Sequence, residues 1–278
     1  MNTNDLSAII TTFKSEDKIF SCLDSLPKDI RIFVVENSNN EMFKKEIEKK
    51  YVNAECILLG KNEGYSKSNN IGLSKVKSKY ALVLNPDTVV EENTIENFLS
   101  SASENPDFWL MGPAKDQGEK IEITKNQITE VETLKGFAIF FNMEKFKDNE
   151  FFDENYFLYF EEIDLCRKVY NRKGKIYLDP KIKIFHEGGK STDEKYSFEI
   201  EKNRNWHWMW STFYYHKKHN NFFYAFAIVF PKLFSALLKT FLYSLTLNRK
   251  KRSIYYCRLS GLTNSILGKN SWYRPSLD

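Results

Sequence analysis

Residues that interrupt or staple a chain are few in this sequence. It holds 11 Gly and 7 Pro in 278 residues, against 15% aromatic side chains, which excludes a disordered chain and predicts a well-cored globular one. The four cysteines, Cys22, Cys56, Cys166 and Cys257, stand far apart, form no metal-ligand spacing and fit a reducing cytosol. The opening Met-Asn-Thr-Asn-Asp-Leu-Ser lacks the basic-then-apolar pattern of a secretory signal, so the protein is expected in the cytoplasm. Acid is missing from one long region: between Glu201 and Asp278 no Asp or Glu occurs, while residues 202–278 carry 13 Lys and Arg. That region is +12 and residues 1–201 are −8, a division hidden inside the overall charge of +4. The expectation is an acidic body joined to a segment that meets something anionic. The length allows one large domain with an appendage, or two small ones.

What is present begins as an alternation of short apolar strands and helical runs. Residues 6–10 read as a strand closing on Thr11-Thr12-Phe13, and Ser15 is placed to cap a helix carrying Ile19, Phe20, Leu23 and Leu26 that Pro27 ends. Residues 32–35 form a second strand running into Glu36-Asn37-Ser38, followed by a charged helix over 41–50 and a third strand over 56–59. This βαβαβ order predicts a parallel sheet with right-handed crossovers and polar residues gathered at one edge. In the loop from Gly60 to Gly72, Gly64 permits close backbone approach and a helix N-terminus offers free N–H groups to an anion. The spacing is neither a Walker loop nor the dinucleotide fingerprint, and a plain loop before a helix accounts for it equally well. Asn69 and Asn70 are poor helix formers, which predicts that they are kept for contacts.

The chemistry concentrates at two places. Residues 80–84, Tyr-Ala-Leu-Val-Leu, are an uninterrupted apolar run, as expected of a strand covered on both faces. Pro86 cannot donate to a ladder and stops it, delivering Asp87 to the carboxyl edge of a central strand, where open α/β sheets place ligands. A carboxylate there suits a divalent cation carrying diphosphate oxygens, and a turn aspartate capping the next helix is the plain alternative. The second place is 151–167, where a dense aromatic run leads into Glu161, Glu162 and Asp164 in the first turn of a helix faced by Ile163, Cys166, Val169 and Tyr170. Acids at a helix N-terminus stabilise it by roughly 0.3–1 kcal/mol each, which alone accounts for Glu161 and Asp164. A carboxylate walled by aromatics and repelled by a neighbour has its pKa raised, against the pull of the helix dipole, and a group so poised suits general-base work. Residues 99–107 close a helix, 109–112 and 136–141 are strands, and 115–132 read as an excursion or hairpin. Two short strands, 175–178 and 182–185, follow, the second delivering His186; a lone His is more often a structural hydrogen-bonder than a ligand. Gly188-Gly189 predicts a mobile segment.

The order of these pieces is specific: strand–Thr-Thr-Phe, strand–Glu-Asn-Ser, Asn-x-Gly-x-x-x-x-Asn-x-x-Gly and then Leu-Asn-Pro-Asp. It resembles glycosyltransferase family 2 in its rhamnosyltransferase-like branch. The resemblance implies the GT-A fold, an α/β nucleotide-sugar-binding domain with a mostly parallel sheet, over residues 1–200. Residues 1–114 would be its donor half and 115–200 its acceptor half. It implies that Thr12, Phe13, Glu36 and Asn37 hold the base and ribose, and that Asn62, Gly64 and Asn69 line the donor pocket. Asn85 and Asp87 would take the place of the Asp-x-Asp element, with His186 completing a site for Mg²⁺ or Mn²⁺. The stretch Phe-x-Tyr-x-Glu-Glu-x-Asp-Leu-Cys-Arg resembles the family's catalytic element, which makes Glu162 the base and places Tyr159, Glu161 and Asp164 on the acceptor side. Asn85, Glu36 and Glu162 each stand where relatives commonly carry Asp; at Glu162 the extra methylene lengthens the reach by about 1.5 Å. The implied reaction is inverting transfer from a nucleoside-diphosphate sugar, dTDP-rhamnose ahead of UDP-galactofuranose or a UDP-hexose, to a bacterial surface glycan. A nucleotidyltransferase and an inactive nucleotide-sugar-binding protein are the alternatives.

Residues 201–278 are expected to form a helical, basic, amphipathic region. Residues 204–219 are aromatic and basic, but the apolar run after them argues against nucleic-acid binding: 222–247 hold only Lys232 and Lys239 as charges, with Pro231 splitting the run. Polar Lys232, Ser235, Lys239, Tyr243 and Thr246 fall opposite Leu233, Phe234, Leu237, Leu238, Phe241 and Leu245, and Arg249-Lys250-Lys251-Arg252 comes directly after. This predicts a helix lying on an anionic membrane through 222–252, holding a peripheral enzyme on the cytoplasmic face against lipid-linked acceptors. A buried core helix, a homodimer interface and a true span are the alternatives.

Overall fold

Eight strands order themselves into one sheet because the apolar runs alternate with helices long enough to cross back. The computed structural model describes residues 3–114, 127–146, 148, 150–186 and 196–275, so most of the expected excursion at 115–132, and Gly188-Gly189, lie outside the described residues. The chain divides into two compact units, Met1–Asp153 with Glu161–Asp193, and Glu154–Phe160 with Glu194–Asp278.

In the first unit, β1 (Leu6–Thr12), β2 (Arg31–Glu36), β3 (Ala54–Leu58) and β4 (Tyr80–Leu84) are parallel, joined through α1 (Glu16–Asp24), α2 (Glu41–Lys50) and α3 (Gly64–Lys75). After α4 (Thr94–Glu104), β6 (Phe108–Pro113), β8 (Ala138–Asn142) and β9 (Lys175–Asp179) extend the sheet, with the two-residue β7 (Thr129–Glu130) at its edge. The strand order is β3-β2-β1-β4-β8-β6-β9-β7, and β8 runs antiparallel to both β4 and β6. The chain moves outward from β1 to β3 and then returns to the other side of β1 as β4, so a topological switch point lies between β1 and β4. Both faces of the sheet are buried. Ala8, Ile10, Val34, Leu82 and Leu84 pack into one core, and Ile9, Val35, Ala81 and Val83 into the other, which is why these strands read as unbroken apolar runs. At Gly72 on α3 an added Cβ would stand 2.4 Å from Ile9 Cγ2, so glycine sets how closely that helix lies on β1. A separate antiparallel ribbon pairs β5 (Thr88–Val90) with β10 (Ile184–His186), placing His186 opposite Thr88.

Ser15 occupies the cap position of α1, yet its hydroxyl donates to the Phe13 carbonyl at 3.1 Å and makes no side-chain cap to the helix. Asn70 has a structural use: its amide donates to and accepts from the Phe152 backbone, at 2.9 and 3.0 Å, fastening α3 to the segment that leads toward α5 (Glu161–Asn171).

The second unit is built on three helices, α6 (Ser197–His219), α7 (Phe222–Leu245) and α8 (Arg249–Ile266). Gly261 of α8 lies directly on the backbone of Trp206, where a Cβ would approach the carbonyl oxygen to 2.2 Å. Pro231 does not split the apolar run: α7 continues through it, because losing one N–H removes a single helical bond while neighbouring turns keep theirs. The polarity of α7 is reversed from that of a core helix. Ala225, Val229 and Ala236 are its only fully buried described residues and the middle of the polar stripe, Ser235, Lys239 and Tyr243, turns inward, with Lys239 Nζ 3.4 Å from the Tyr255 hydroxyl and Tyr243 stacked on Tyr255, while Lys232 and Thr246 stay exposed. Phe223, Phe230, Phe234, Leu237, Leu238, Phe241, Leu242 and Leu245 are exposed. The helix is long and apolar enough to cross a membrane and 17% buried over its most apolar stretch, so it is not a core helix.

Candidate active site

The residues singled out in the sequence gather at the carboxyl ends of β1, β2 and β4, beside the switch point. Asn37, just past β2, accepts from the Glu63 N–H (3.1 Å) and the Ser68 hydroxyl (2.6 Å), which ties the Gly60–Gly64 loop to the sheet edge. Asn62 accepts from the Gly64 N–H at 3.0 Å, and Gly64 itself opens α3 with φ +84°, a conformation that favours glycine. Thr12 is buried with its carbonyl accepting from the Asn37 N–H at 2.9 Å, and half-buried Phe13 follows it into the same loop cluster.

Two donor-side residues also have partners inside the fold. Glu36 is buried, and its carboxylate folds back on its own loop, accepting from the Ser38 N–H (2.9 Å), the Ser38 hydroxyl (2.5 Å) and the Asn40 N–H (3.2 Å). It therefore shapes the loop past β2, since a buried carboxylate satisfies itself with the nearest amides. Asn69 is fully buried between the Thr11 hydroxyl (3.0 Å) and the Tyr65 carbonyl (2.9 Å), so it ties α3 to β1 from inside.

At the end of β4 the turn Asn85-Pro86-Asp87 is held by Asn85, whose N–H donates to the Phe137 carbonyl at 2.9 Å and whose carbonyl accepts from the Thr88 hydroxyl at 2.7 Å. Asp87 is buried, with its side chain 1% exposed, and neither carboxylate oxygen receives a hydrogen bond among the described residues. His186 Nε2 stands 3.5 Å from Asp87 Oδ1, brought there by the β5–β10 ribbon, and its ring stacks on Phe137 at 4.6 Å. A buried carboxylate with both oxygens orphaned beside an imidazole is the donor set of a hard divalent cation, and the residues present fit one. Among the described residues no third His, Cys, Asp or Glu joins the pair.

The acid pair at the start of α5 reaches the same edge. A Cβ at Gly136 would lie 3.6 Å from Glu162 Cβ and 3.6 Å from the Tyr65 hydroxyl, which donates to the Gly136 carbonyl at 2.5 Å. Gly136 adjoins Phe137, the ring on which His186 lies. One dipeptide leading into β8 thus lies beside Glu162 at Gly136 and against His186 at Phe137. Tyr65, Gly136 and Phe137 are the residues that sequence reasoning passed over. Gly136-Phe137 read only as the start of a buried strand, and β5, which carries the ribbon, went unread because three residues leave no periodicity.

Burial raises the Glu162 carboxyl, while its helical N–H neighbours and Lys135 oppose the shift. Burial, with repulsion from Glu162, pushes Glu161 well above the usual carboxylate range, and Glu161 Oε2 has no hydrogen-bond partner among the described residues. Glu161 is the deeper of the two and Glu162 is half-buried, and the two carboxyls titrate as a pair. Burial and both glutamates also push the Tyr65 phenol well above its ordinary value, so it acts as a donor. Asp164 is buried. Tyr159 and Phe160 belong to the second unit, packed on Trp208 at 5.2 and 5.4 Å. Both adopt left-handed backbone, φ +71° and +72°, directly ahead of Glu161, and strain of this kind marks places where a side chain must be aimed.

Comparison with known proteins bears on this arrangement. The curated low-salt glycan biosynthesis hexosyltransferase Agl10 of Haloferax volcanii is 24% identical over 192 residues, covering 60% of this chain. The chain spans 62% of the length of that relative. Among solved structures, the mannosyltransferase PcManGT from Pyrobaculum calidifontis, in complex with GDP-Man and Mn²⁺, superposes with a TM-score of 0.61 at 11% identity, over 96% of this chain and 88% of that one. S. aureus TarS 1–349 in complex with UDP gives 0.55 at 15% identity over 97% and 93%. Against the longer S. aureus TarS chain the TM-score is 0.54 at 19% identity, over 72% of this chain and 39% of that one. At these identities the structural likenesses carry the fold: a GT-A α/β domain followed by C-terminal helices. The model of Glycosyl transferase family 2 matches residues 7–167, more than half of the chain. On that match and this fold, the chain belongs to glycosyltransferase family 2.

Proposed function

We propose that the protein transfers a sugar, with inversion, from a nucleoside-diphosphate donor to a hydroxyl of a lipid-linked glycan at a membrane surface. The observation that carries this reading is the Gly136-Phe137 dipeptide, which brings Glu162 and the Asp87–His186 pair to one sheet edge. Glu162 accepts the proton of the acceptor hydroxyl. The freed oxygen forms its bond to the anomeric carbon as the bond from that carbon to the diphosphate breaks, and the electron pair leaves with the diphosphate. Asp87 and His186 would hold Mg²⁺ or Mn²⁺, which when bound neutralises charge on the departing diphosphate. Thr12, Phe13, Asn37, Asn62, Gly64 and Asn85 border the donor edge, with Glu36 and Asn69 shaping it from behind. dTDP-rhamnose heads the donors, then UDP-galactofuranose and UDP-hexoses.

The exposed apolar face of α7 lies on the membrane. Its inner flank is taken by α6 and α8, where Met209, Phe213 and Leu262 pack on Ala225 and Val229. A helix so flanked, next to Arg249-Lys250-Lys251-Arg252, rests along an anionic surface, whereas a span would need lipid or apolar partners all round. The cytoplasmic leaflet is the anionic one, and the protein is proposed to rest there. Incubation with a panel of nucleotide sugars and either metal tests the reaction: release of nucleoside diphosphate that depends on metal and acceptor is expected. Release of pyrophosphate would instead make it a nucleotidyltransferase, and no release an inactive binding protein.

A further inference from the structure

We propose that an open cavity on the second unit, lined by exposed Lys232 and half-buried Arg258, seats the phosphoryl group of the lipid acceptor; this rests on reading α7 as the membrane-facing helix. The cavity measures about 260 Å³, and its wall includes Trp208, Pro231, Lys232, Ser235, Tyr255 and Arg258. Its charge is one-sided. Two cations share it, no carboxylate lines it among the described residues, and the sequence has no acid between Glu201 and Asp278. Like charges gathered without a counter-ion are unfavourable until an anion joins them.

Arg258 is held ready for one. Its Nε donates to Asn205 Oδ1 at 2.7 Å and its guanidinium lies over the Tyr255 ring at 5.4 Å. Among the described residues its terminal nitrogens have no partner, and such a fork grips a phosphate through two parallel bonds. Lys232 makes no ion pair among the described residues and supplies a second point charge, with the Ser235 hydroxyl one turn further along α7.

The rest of the ligand is set by the other side of the same helix. Phe230, Phe234, Leu237 and Leu238, on the turns that carry Lys232 and Ser235, are exposed. A phosphoryl group in the cavity with a hydrocarbon chain along that face describes an amphiphile, a lipid phosphate or diphosphate, rather than a soluble anion. Trp208, in the cavity wall, also packs on Tyr159 and Phe160, the residues that lead by chain into Glu161 and Glu162.

The full chain is sedimented with vesicles of phosphatidylcholine alone and with vesicles containing one part in five phosphatidic acid, whose phosphomonoester is the probe. Wild type should prefer the second, and Lys232→Ser with Arg258→Gln should remove the preference. Lys250→Ser with Lys251→Ser removes equal charge outside the cavity and should leave binding about tenfold stronger than in the cavity pair. Ser235→Phe, which fills the cavity and keeps both charges, should also lose the preference, so a folding defect in the charge pair does not decide the matter. Equal losses in the two charge pairs, or full preference in Ser235→Phe, overturn the cavity while leaving α7 as the membrane face. No vesicle binding at all overturns the membrane reading with it. Stabilisation of wild type by inorganic phosphate alone, lost in the cavity pair and without vesicle preference, would make the site one for free phosphate and overturn the lipid assignment.

Discussion

Replacing Glu162 by Gln isolates the base from everything else at the site. The amide has the shape of the carboxylate, so neither a cavity nor a clash is created. The donor edge is built from β1, β2, β4 and the start of α3, so donor binding should be unchanged. A positioned general base contributes about 10²–10⁴-fold in rate, which corresponds to roughly 2.7–5.4 kcal/mol of barrier. The assay is nucleoside diphosphate release at saturating donor across a pH series, with donor affinity measured by calorimetry. In the wild type, burial raises the Glu162 carboxyl, so the base is protonated and idle over a wider acid range. Turnover should climb with pH along a limb above the ordinary glutamate value of about 4.3. Glu162→Gln should lose both the turnover and the limb. A variant within about threefold of wild type, or one that keeps the same limb, would refute the assignment.

Glu161 makes a prediction about stability. Burial and Glu162 hold its folded-state carboxyl well above its unfolded value, so as pH rises the unfolded chain ionises first. Stability on this account falls from about pH 4.3 upward until the folded group itself ionises. Glu161→Gln should therefore gain on wild type in urea titrations as pH rises from acid to alkaline, and an equal difference at both ends contradicts the reasoning. Asp87→Asn should weaken Mn²⁺ or Mg²⁺ binding, titrated calorimetrically beside a nucleoside diphosphate, by roughly 10–100-fold or more, and unchanged affinity would remove the site. Gly261→Ala would set a Cβ 2.2 Å from the Trp206 carbonyl oxygen. Parting α6 and α8 by about 1 Å restores an ordinary C···O contact of roughly 3.3 Å and should cost about 1–3 kcal/mol, read as a lower urea midpoint of the second unit. An unchanged midpoint would show that the two helices are not held that close.

Local pattern carried much of this protein. The unbroken run Tyr80–Leu84 announced a strand covered on both faces, Pro86 ended it, and three acids after an aromatic run announced the start of α5. These are properties of neighbours along the chain: periodicity, the missing N–H of proline and the dipole of a first helical turn. Burial by distant partners decided the rest. Glu36 and Asn69 look like ligand contacts in a motif, but Glu36 closes on the amides of Ser38 and Asn40 and Asn69 on Thr11 and Tyr65. The polar stripe of α7 was legible, whereas its direction was not, since only the packing of Lys239 and Tyr243 on α8 turns the apolar stripe outward. The approach of Gly136 to Glu162 and of Phe137 to His186 is the same kind of fact. It depends on β8 entering between β4 and β6 and on a three-residue ribbon pairing residues about a hundred positions apart. Sequence alone determined which side chains carry chemistry, because their neighbours set strand, turn and helix around them. Tertiary structure decided which of them face one another, because pairing and burial join residues that no local period relates.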